Sequence, residues 1–294
     1  MLAPNLSLRA LHPVCPRCRI PLPARPATTN DPIACAACGL KYQAGDRYLK
    51  YDFDGLLFER FRRAYLLNKV LNNNGLISYQ LLREGSLSLP ERDDVQRFRD
   101  FLAESARPGW LLDIGCGVLA RPGYLDFDMS GGYRLVGLDP IDDQSFDGIR
   151  IVGCSEFMPL PDASIDTAVF ATSLDHVCSL HVTLDEVNRV LKPGGRVVVW
   201  MGDRAMSAFK HVIVTLRSWL RNLARGYRTD RYWIYPNGTV LYVPTGAVDP
   251  FHSYHEDPKR IVSLFAARGF RVVAHTARTA DEVFLSFSKP APGA

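Results

Sequence analysis

The sequence predicts an α/β fold, with a ligand site where two strands of a parallel sheet end. Residues 111–117 (LLDIGCG) and 135–139 (LVGLD) each combine an apolar run with glycine and aspartate. Apolar runs of this length predict buried strands, and glycine lets the backbone turn sharply beside a ligand. Residues 167–171 and 196–200 supply two further apolar runs downstream. Successive buried strands of this kind predict a sheet whose carboxyl edge binds the ligand.

Asp139 stands at the tip of the second apolar run, where a carboxylate can accept two hydrogen bonds from a ribose diol. It is therefore the predicted ribose-binding residue. Gly115, Gly117 and Ala120 also fit the dinucleotide pattern G-x-G-x-x-G/A, which is short enough to arise by chance. A nicotinamide-dependent dehydrogenase is one alternative, although Asp113 stands where dinucleotide folds usually have an apolar or small residue.

Two downstream segments decide between these alternatives. Residues 156–166 (EFMPLPDASID) and 184–195 (LDEVNRVLKPGG) each lead into one of the later apolar runs. In this order and spacing, they and the D-x-G-x-G run at Asp113 resemble the class I S-adenosylmethionine-dependent methyltransferases, in the branch of small-molecule and quinone methylases. The resemblance covers residues 110–200 and the C-terminal end. It implies a Rossmann-like, seven-stranded α/β fold and S-adenosyl-L-methionine as cofactor.

The resemblance implies that five residues bind this cofactor: Asp113, Gly115, Gly117, Asp139 and Ser155. The first three would line its methionine end, the fourth its ribose hydroxyls, and the last its adenine. Leu119 stands where a third glycine is common, and Cys154 stands where an aspartate commonly receives the adenine amino group. Residues 121–123 (RPG) should break the first crossover helix, because proline lacks a backbone donor and glycine costs ~1 kcal/mol. These departures leave a non-catalytic scaffold open as an alternative.

Four of the seven cysteines form two C-x2-C pairs: Cys15, Cys18, Cys35 and Cys38. The 16-residue spacing between the pairs lets two tight turns close a tetrahedral thiolate site on Zn²⁺. In a cytoplasmic setting, disulfides are the poorer explanation. Four thiolates leave no open position on the ion, so the predicted zinc is structural. The segment resembles the N-terminal zinc modules of some ribosomal RNA guanine methyltransferases and of small methyltransferase-activator proteins.

The predicted organisation has three parts and one insertion: a zinc-ribbon-like module (1–46), a helical linker or cover (47–108), and a methyltransferase domain (109–294) with a basic, aromatic insertion (203–250). Apolar spacing predicts a helix over residues 54–72, which the Asn-Asn-Asn-Gly run at 72–75 should end. It also predicts a helix over residues 95–103. A further helix over 258–268 precedes an antiparallel pair of edge strands at the C-terminal end.

Composition and charge predict a cytoplasmic globular protein. Hydrophobic residues make up 47% of the chain, without an apolar stretch of the ~18 to 20 residues that a membrane helix needs. The net charge of +4 is unevenly placed, because residues 1–50 and 200–232 each hold seven basic and two acidic residues. Residues 209–223 predict an amphipathic helix with regularly spaced arginines. Such a helix can cap an active site, lie on an anionic membrane surface, hold RNA, or simply be solvated.

Methyl transfer from a sulfonium is an in-line displacement, so positioning supplies most of the acceleration and a base is needed only for a hydroxyl or a protonated amine. His176 follows the fourth predicted strand and is the candidate base, with Asp175 to orient it. Four residues of the predicted cover are candidates for substrate binding: Tyr232, Trp233, His252 and His255. The last two alone do not favour a metal, because they lack a third ligand.

The sequence therefore predicts a methyltransferase that acts on an oxygen or nitrogen atom of a small-molecule or glycolipid-type acceptor. The aromatic residues of the cover favour such an acceptor, since they would enclose it. A ribosomal or transfer RNA base is the alternative acceptor, favoured by the zinc module and the two basic segments. No feature of the sequence indicates an oligomeric state.

Overall fold

The fold was analysed in a computed structural model. It describes residues 6–23, 32–81, 91–142, 145–202, 231–235, 238–276, 282–291 and 293, together with seven single positions at 213, 216, 217, 219, 220, 223 and 224. Within these residues, ten strands form one sheet and two more strands form a separate hairpin. The predicted α/β fold class is confirmed.

Twelve strands and four helices make up the described regular structure: β1 (Ile33–Ala34), β2 (Lys41–Ala44), β3 (Tyr48–Tyr51), α1 (Phe53–Leu81), α2 (Asp93–Ser105), β4 (Trp110–Ile114), β5 (Arg134–Asp139), β6 (Ile149–Val152), β7 (Ile165–Ala171), α3 (Leu180–Val190), β8 (Leu191–Gly202), β9 (Arg231–Ile234), β10 (Val240–Val243), α4 (Pro258–Ala266), β11 (Arg271–His275) and β12 (Glu282–Ser288). The helices α2 and α4 confirm the two shorter predicted helices.

The large sheet has the order β1-β2-β3-β6-β5-β4-β7-β8-β12-β11. Strands β3, β6, β5, β4, β7 and β8 run parallel, whereas β12 is antiparallel to both β8 and β11. The seven strands from β6 to β11 form the predicted seven-stranded sheet. Strand β4 lies between β5, the next strand in the chain, and β7, which comes later. The order of the strands in the sheet therefore reverses at β4. Ligands bind at such a switch point, beyond the carboxyl ends of the strands.

Side chains of the central strands alternate between two apolar cores, one on each face of the sheet. Leu112 and Phe170 face the core that α3 and α4 cover. Leu111 and Trp200 face the core that α2 covers, where the ring centroids of Phe98 and Trp200 lie 5.1 Å apart. This period of two is the geometry of a strand buried on both faces, which explains why these segments are apolar throughout.

The connection from β4 to β5 contains no α-helix; residues 115–133 are fully described and hold only a short 3-10 turn at Gly123–Leu125. This outcome confirms the predicted break at residues 121–123. The turn carries Tyr124 into the α2 side of the core, where its ring centroid lies 5.7 Å from that of Phe98. The loop that replaces the crossover helix is therefore held by packing.

The N-terminal strands extend the large sheet. Strand β3 pairs in parallel with β6, with Leu49 opposite Ile151. Arg19 donates to Glu186 of α3 over 2.6 Å and to the carbonyl of Met158 over 3.0 Å. Buried residues of this N-terminal part belong to the same apolar core as the sheet. The cysteine-bearing segment thus packs as part of the sheet-containing body.

Helix α1 differs from the prediction, because the Asn-Asn-Asn-Gly run does not end it and the helix continues to Leu81. Asn74 is buried, and its side-chain amide donates to the carbonyls of Tyr242 and Pro250 over 2.7 and 2.8 Å. Leu71 packs in a small apolar cluster with Val243. These tertiary contacts outweigh the weak local helix preference of asparagine and glycine. The prediction was based only on the local tendency of the Asn-Asn-Asn-Gly run to end a helix.

The hairpin of β9 and β10 lies against α1, with Trp233 opposite Leu241. Of the predicted basic helix over 209–223, most residues lie outside the described part of the chain. Four of its described apolar residues are exposed: Leu216, Trp219, Leu220 and Leu223. The C-terminal pair β11 and β12 is antiparallel, as predicted. Within the described ranges, no helix combines the length and apolar character needed to cross a bilayer.

Candidate active site

A cleft of about 1770 Å³ opens at the carboxyl ends of β4, β5 and β7, under α1 and the β9–β10 hairpin. Most of the predicted site residues line it: Gly115, Gly117, Asp139, Ser155, Asp175, His176, Trp233, His252 and His255. Two of the predicted cofactor and substrate residues lie elsewhere. Asp113 is buried behind the wall of the cleft, and the ring of Tyr232 packs against Tyr242 with centroids 5.9 Å apart. Neighbouring strand residues point to opposite faces, which explains how Trp233 reaches the cleft and Tyr232 does not.

Asp139 ends β5, and its carboxylate closes the glycine turn after β4. One carboxylate oxygen accepts from the amide of Gly117 over 2.9 Å, and the other accepts from the amide of Ile141 over 2.8 Å. Gly115 has a φ of +83°, and a Cβ built there would lie 2.3 Å from the Cβ of Ser173. The turn therefore requires glycine for both its backbone conformation and its close packing.

Asp113, on β4, is fully buried beneath this turn. Its Oδ2 accepts from the Tyr124 hydroxyl over 2.9 Å, whereas its Oδ1 has no hydrogen-bond partner among the described residues. Burial raises the pKa of Asp113 to about 7, against the lowering effect of the Tyr124 hydrogen bond, and the nearby charge of Asp139 raises it further. A buried acceptor without a partner is costly unless a ligand supplies the donor.

Ser155 follows β6, and its hydroxyl shares a 2.9 Å hydrogen bond with the hydroxyl of Thr183 on α3. The adjoining backbone is held by Tyr51 of β3, whose hydroxyl donates to the carbonyl of Phe157 over 2.6 Å. The same hydroxyl accepts from the amide of Cys154 over 3.0 Å. Tyr51 thus connects the cysteine-bearing N-terminal part directly to the wall of the cleft, a contact that the sequence analysis missed.

Arg150 is a second residue that the sequence analysis missed. It lies on β6, is 2% exposed, and donates to the carbonyls of Gly117 and Ile141 over 2.9 and 2.5 Å. The guanidinium therefore joins the turn after β4 to the loop after β5, on both sides of Asp139. The sequence did contain a signal for this residue, a single arginine within the apolar strand 149–152 (IRIV). An arginine is almost never fully buried unless it is paired, so its position implies hydrogen-bond partners inside the protein.

At the other end of the cleft, three imidazoles and two carboxylates converge. Asp249 accepts hydrogen bonds from His252 Nδ1 over 2.8 Å and from His255 Nε2 over 3.0 Å. Asp175 Oδ2 lies 3.6 Å from both His252 Nε2 and His255 Nδ1. The ring centroids of His176 and His252 are 4.5 Å apart, and the two ring planes are tilted by 38°. The structure thus brings four predicted residues together, around an aspartate that the sequence analysis did not single out.

The electrostatics of this cluster follow from its two carboxylates. Burial alone would lower the pKa of His255, but Asp175 and Asp249 raise it to about 9. Burial alone would raise the pKa of Asp249. The hydrogen bonds from His252 and His255 outweigh burial and hold this pKa far below its usual range. Burial would also raise the pKa of Asp175, but His255 and the neighbouring histidines lower it. Both aspartates are therefore anionic at neutral pH, and the cluster attracts cations.

The four predicted zinc ligands also converge, with all four sulfurs within 4.8 Å of one another. The Sγ atoms of Cys15 and Cys38 are 3.5 Å apart, as are those of Cys18 and Cys35. Tetrahedral zinc with 2.3 Å bonds to sulfur needs sulfur–sulfur separations of about 3.8 Å. The residues that follow the second cysteine of each pair, Arg19 and Gly39, both have left-handed φ values. The geometry fits a closed, structural zinc site.

Comparison with known proteins gives matches centred on the same sheet. Residues 112–199 match a family model described as a methyltransferase domain. An uncharacterized 37.1 kDa protein in transposon TN4556 of Streptomyces fradiae is 34% identical over 39% of this chain and 37% of its own length. The ubiquinone/menaquinone biosynthesis C-methyltransferase of Rubrivivax gelatinosus is 32% identical over 26% of this chain and 34% of its own length. The chain thus spans about a third of the length of these relatives.

Among solved structures, the 1,6-didemethyltoxoflavin-N1-methyltransferase of Burkholderia thailandensis, with 1,6-didemethyltoxoflavin and S-adenosylhomocysteine bound, superposes with a TM-score of 0.49. The match has 13% identity and covers 88% of this chain and 99% of that one. The family model lies on the strands that carry the glycine turn, Asp113 and Asp139. Residues 112–199, which carry these features, are thus similar to a methyltransferase domain.

Proposed function

We propose that this chain transfers a methyl group from S-adenosyl-L-methionine to an oxygen or nitrogen atom of a small-molecule or glycolipid-type acceptor. The observation that carries the proposal is that Asp139 and the glycine turn line one cleft with the histidine cluster, while Asp113 lies buried beneath the turn with one oxygen unpaired among the described residues. The first end offers the Asp139 carboxylate for a nucleoside and, behind the turn, the Asp113 carboxylate for an ammonium group. The second end offers polar groups for an acceptor.

In this proposal, Asp139 binds the ribose hydroxyls, Gly115 and Gly117 let the backbone approach the cofactor, and Ser155 lies beside the adenine. Asp113 receives the cofactor's ammonium on Oδ1, which has no hydrogen-bond partner among the residues described. Bound there, S-adenosyl-L-methionine supplies an electrophilic methyl group. The residues of this chain orient it, exclude water and accept the acceptor's proton.

We expect the affinity for S-adenosylhomocysteine to fall as the pH drops below about 7, the value to which burial raises the pKa of Asp113. Below it, the carboxyl must lose its proton before it pairs with the ammonium, so affinity should fall roughly tenfold per pH unit. Calorimetric titrations between about pH 6 and about pH 8, one unit either side of this pKa, measure the effect. The Asp113→Asn variant should bind S-adenosylhomocysteine weakly, with an affinity that does not change with pH. A wild-type affinity that is also independent of pH would contradict the proposed pairing of Asp113 with the ammonium group.

The acceptor end is proposed to work through His176, with Asp175 beside it. Asp175 Oδ1 lies 3.9 Å from His176 Nε2, and the side chain of His176 is 36% exposed. An imidazole at this position can accept the proton of an acceptor hydroxyl as the methyl group transfers. His252, His255 and Trp233 line the same end and are proposed to contact the acceptor. Tyr232 remains a proposed contact only for an acceptor that extends beyond the cleft.

Two features support a small acceptor over RNA. The cleft lies beneath α1 and the β9–β10 hairpin, which would cover part of a small acceptor. In the N-terminal part, several basic side chains already have partners: Arg17 pairs with Glu59, Arg19 with Glu186, and Lys50 with Asp142. Cations paired within the protein release fewer counterions on binding nucleic acid. A ribosomal or transfer RNA base is the second candidate, favoured by the exposed Arg217 and the exposed apolar residues Leu216, Trp219 and Leu220 beside it.

Methyl transfer from labelled S-adenosyl-L-methionine tests the proposal. Total RNA and a small-molecule and lipid extract would be offered separately to the full chain and to its Asp139→Ala variant. We expect label in the small-molecule or lipid fraction with the wild type only. Label confined to RNA would overturn the small-acceptor proposal in favour of the second candidate. Wild-type chain that binds cofactor and labels neither fraction would support a non-catalytic scaffold instead.

A further inference from the structure

The histidine cluster contains a set of potential metal ligands that neither the family model nor the relatives' names account for. Asp175, His176 and His252 each place one ligand atom within 4.8 Å of the others. Asp175 Oδ1 lies 3.9 Å from His176 Nε2, and Asp175 Oδ2 lies 3.6 Å from His252 Nε2. These separations are too long for hydrogen bonds. Around a tetrahedral ion with bonds of ~2.0 to 2.2 Å, neighbouring ligands lie about 3.3 to 3.6 Å apart, so small shifts would close the site.

The groups behind these residues have the arrangement that orients metal ligands. His252 uses Nδ1 to hydrogen-bond Asp249 over 2.8 Å, which leaves Nε2 directed towards Asp175. Histidines that bind metals usually donate their other ring nitrogen to a carboxylate or a backbone carbonyl in this way. His255 is placed between the two carboxylates, 3.0 Å from Asp249 Oδ2 and 3.6 Å from Asp175 Oδ2.

We propose that Asp175, His176 and His252 bind one divalent transition-metal ion, such as Zn²⁺, at the acceptor end of the cleft, with Asp249 as the residue that orients His252. Two imidazoles and one carboxylate form a ligand set that suits Zn²⁺ and Fe²⁺. Three protein ligands leave at least one coordination position open. The three side chains are 14 to 36% exposed, so that position faces the cleft. This site is separate from the closed four-cysteine site in chemistry and in place.

The ion's role rests on the proposed methyl transfer. An acceptor hydroxyl in the open position would have a lower pKa, because a bound divalent cation stabilises the oxyanion. The acceptor would then lose its proton to solvent before attack, and its oxygen would form the new bond to the methyl carbon as the carbon–sulfur bond breaks. His176 would act as a ligand in this case, instead of as the base. The acceptor class narrows to molecules with a hydroxyl that can bind a metal.

Metal binding to the full chain tests the site without any methyl transfer. After removal of bound metal and dialysis against Zn²⁺, we expect two ions per wild-type chain. His252→Ala and the isosteric Asp175→Asn should each retain one ion, because the four cysteines are untouched. The exposed His275 provides a matched control, and His275→Ala should retain two. Asp249→Asn should weaken the second site roughly 10- to 100-fold, as expected for a residue that orients a ligand.

Cobalt distinguishes the two sites. With the thiolate site filled by Zn²⁺, added Co²⁺ should give weak visible absorption without thiolate charge-transfer bands, and His252→Ala should abolish it. One ion per wild-type chain, or a second ion unaffected by His252→Ala and Asp175→Asn in folded protein, would overturn the proposal. The cluster would then be a network in which a protonated His255 bridges the two carboxylates. The metal-binding result does not decide whether the chain transfers a methyl group, which the assay with labelled S-adenosyl-L-methionine tests separately.

Discussion

Replacing Asp139 with alanine is expected to weaken the binding of S-adenosylhomocysteine at least about 100-fold, because hydrogen bonds to a charged group contribute ~1.5 to 3 kcal/mol each. The loss has a second source in this structure. The carboxylate of Asp139 also accepts from the amides of Gly117 and Ile141, so its removal frees both loops that surround the ligand. Isothermal titration calorimetry measures the affinity, and circular dichroism shows whether the variant is folded.

The control for this prediction is Asp147→Ala. Asp147 is half-buried, lies in the connection between β5 and β6, and pairs loosely with Arg121 over 3.5 Å. Its removal changes the net charge equally, so the affinity should stay within about twofold, as expected for a surface ion pair. A folded Asp139→Ala chain that binds as tightly as Asp147→Ala would show that the nucleoside is held elsewhere.

Cys35→Ser is expected to lower the melting temperature by on the order of 10 °C and to release the thiolate-bound zinc, since structural zinc contributes directly to folding free energy. The effect should extend beyond the N-terminal part. Strand β3 pairs with β6, and its Tyr51 holds the backbone of Cys154 and Phe157 beside the cleft. We therefore expect the variant to bind S-adenosylhomocysteine more weakly as well. Calorimetric melting and metal analysis measure the two effects.

Cys178→Ser is the matched control, because Cys178 is half-buried but lies away from the four-cysteine cluster. It should keep its zinc and melt within a few degrees of the wild type, which corresponds to about 1 kcal/mol. Should Cys35→Ser lose its zinc yet melt and bind like Cys178→Ser, the four cysteines would have no structural role. Residues 1–46 would then be a separate module that does not stabilise the sheet.

The central sheet could be predicted from sequence because its strands carry strong local signals. The runs that became β4, β5, β7 and β8 are apolar throughout, as strands buried on both faces must be. The pairing of Asp113 with Asp139 followed from the same pattern, since adjacent parallel strands end at one edge. The four cysteines were equally clear, because their spacing alone closes a tetrahedral site.

Other features depend on partners that are distant in sequence. Asn74 lies within a run that normally ends a helix, yet the carbonyls of Tyr242 and Pro250 hold it in place. The two histidines before α4 lacked a third ligand in the sequence, because Asp175 and His176 belong to the loop after β7. Tyr51 and Arg150 carry their roles through hydrogen bonds to backbone atoms, which leave no pattern of side chains to recognise.

The most direct test of the account is a crystal structure of the full chain with S-adenosylhomocysteine. We predict the two ribose hydroxyls within hydrogen-bond distance of the Asp139 carboxylate, and the amino group within that distance of Asp113 Oδ1. The sulfur should point towards Asp175 and His176. A nucleoside bound away from the edge formed by β4 and β5, with both carboxylates untouched, would contradict the account.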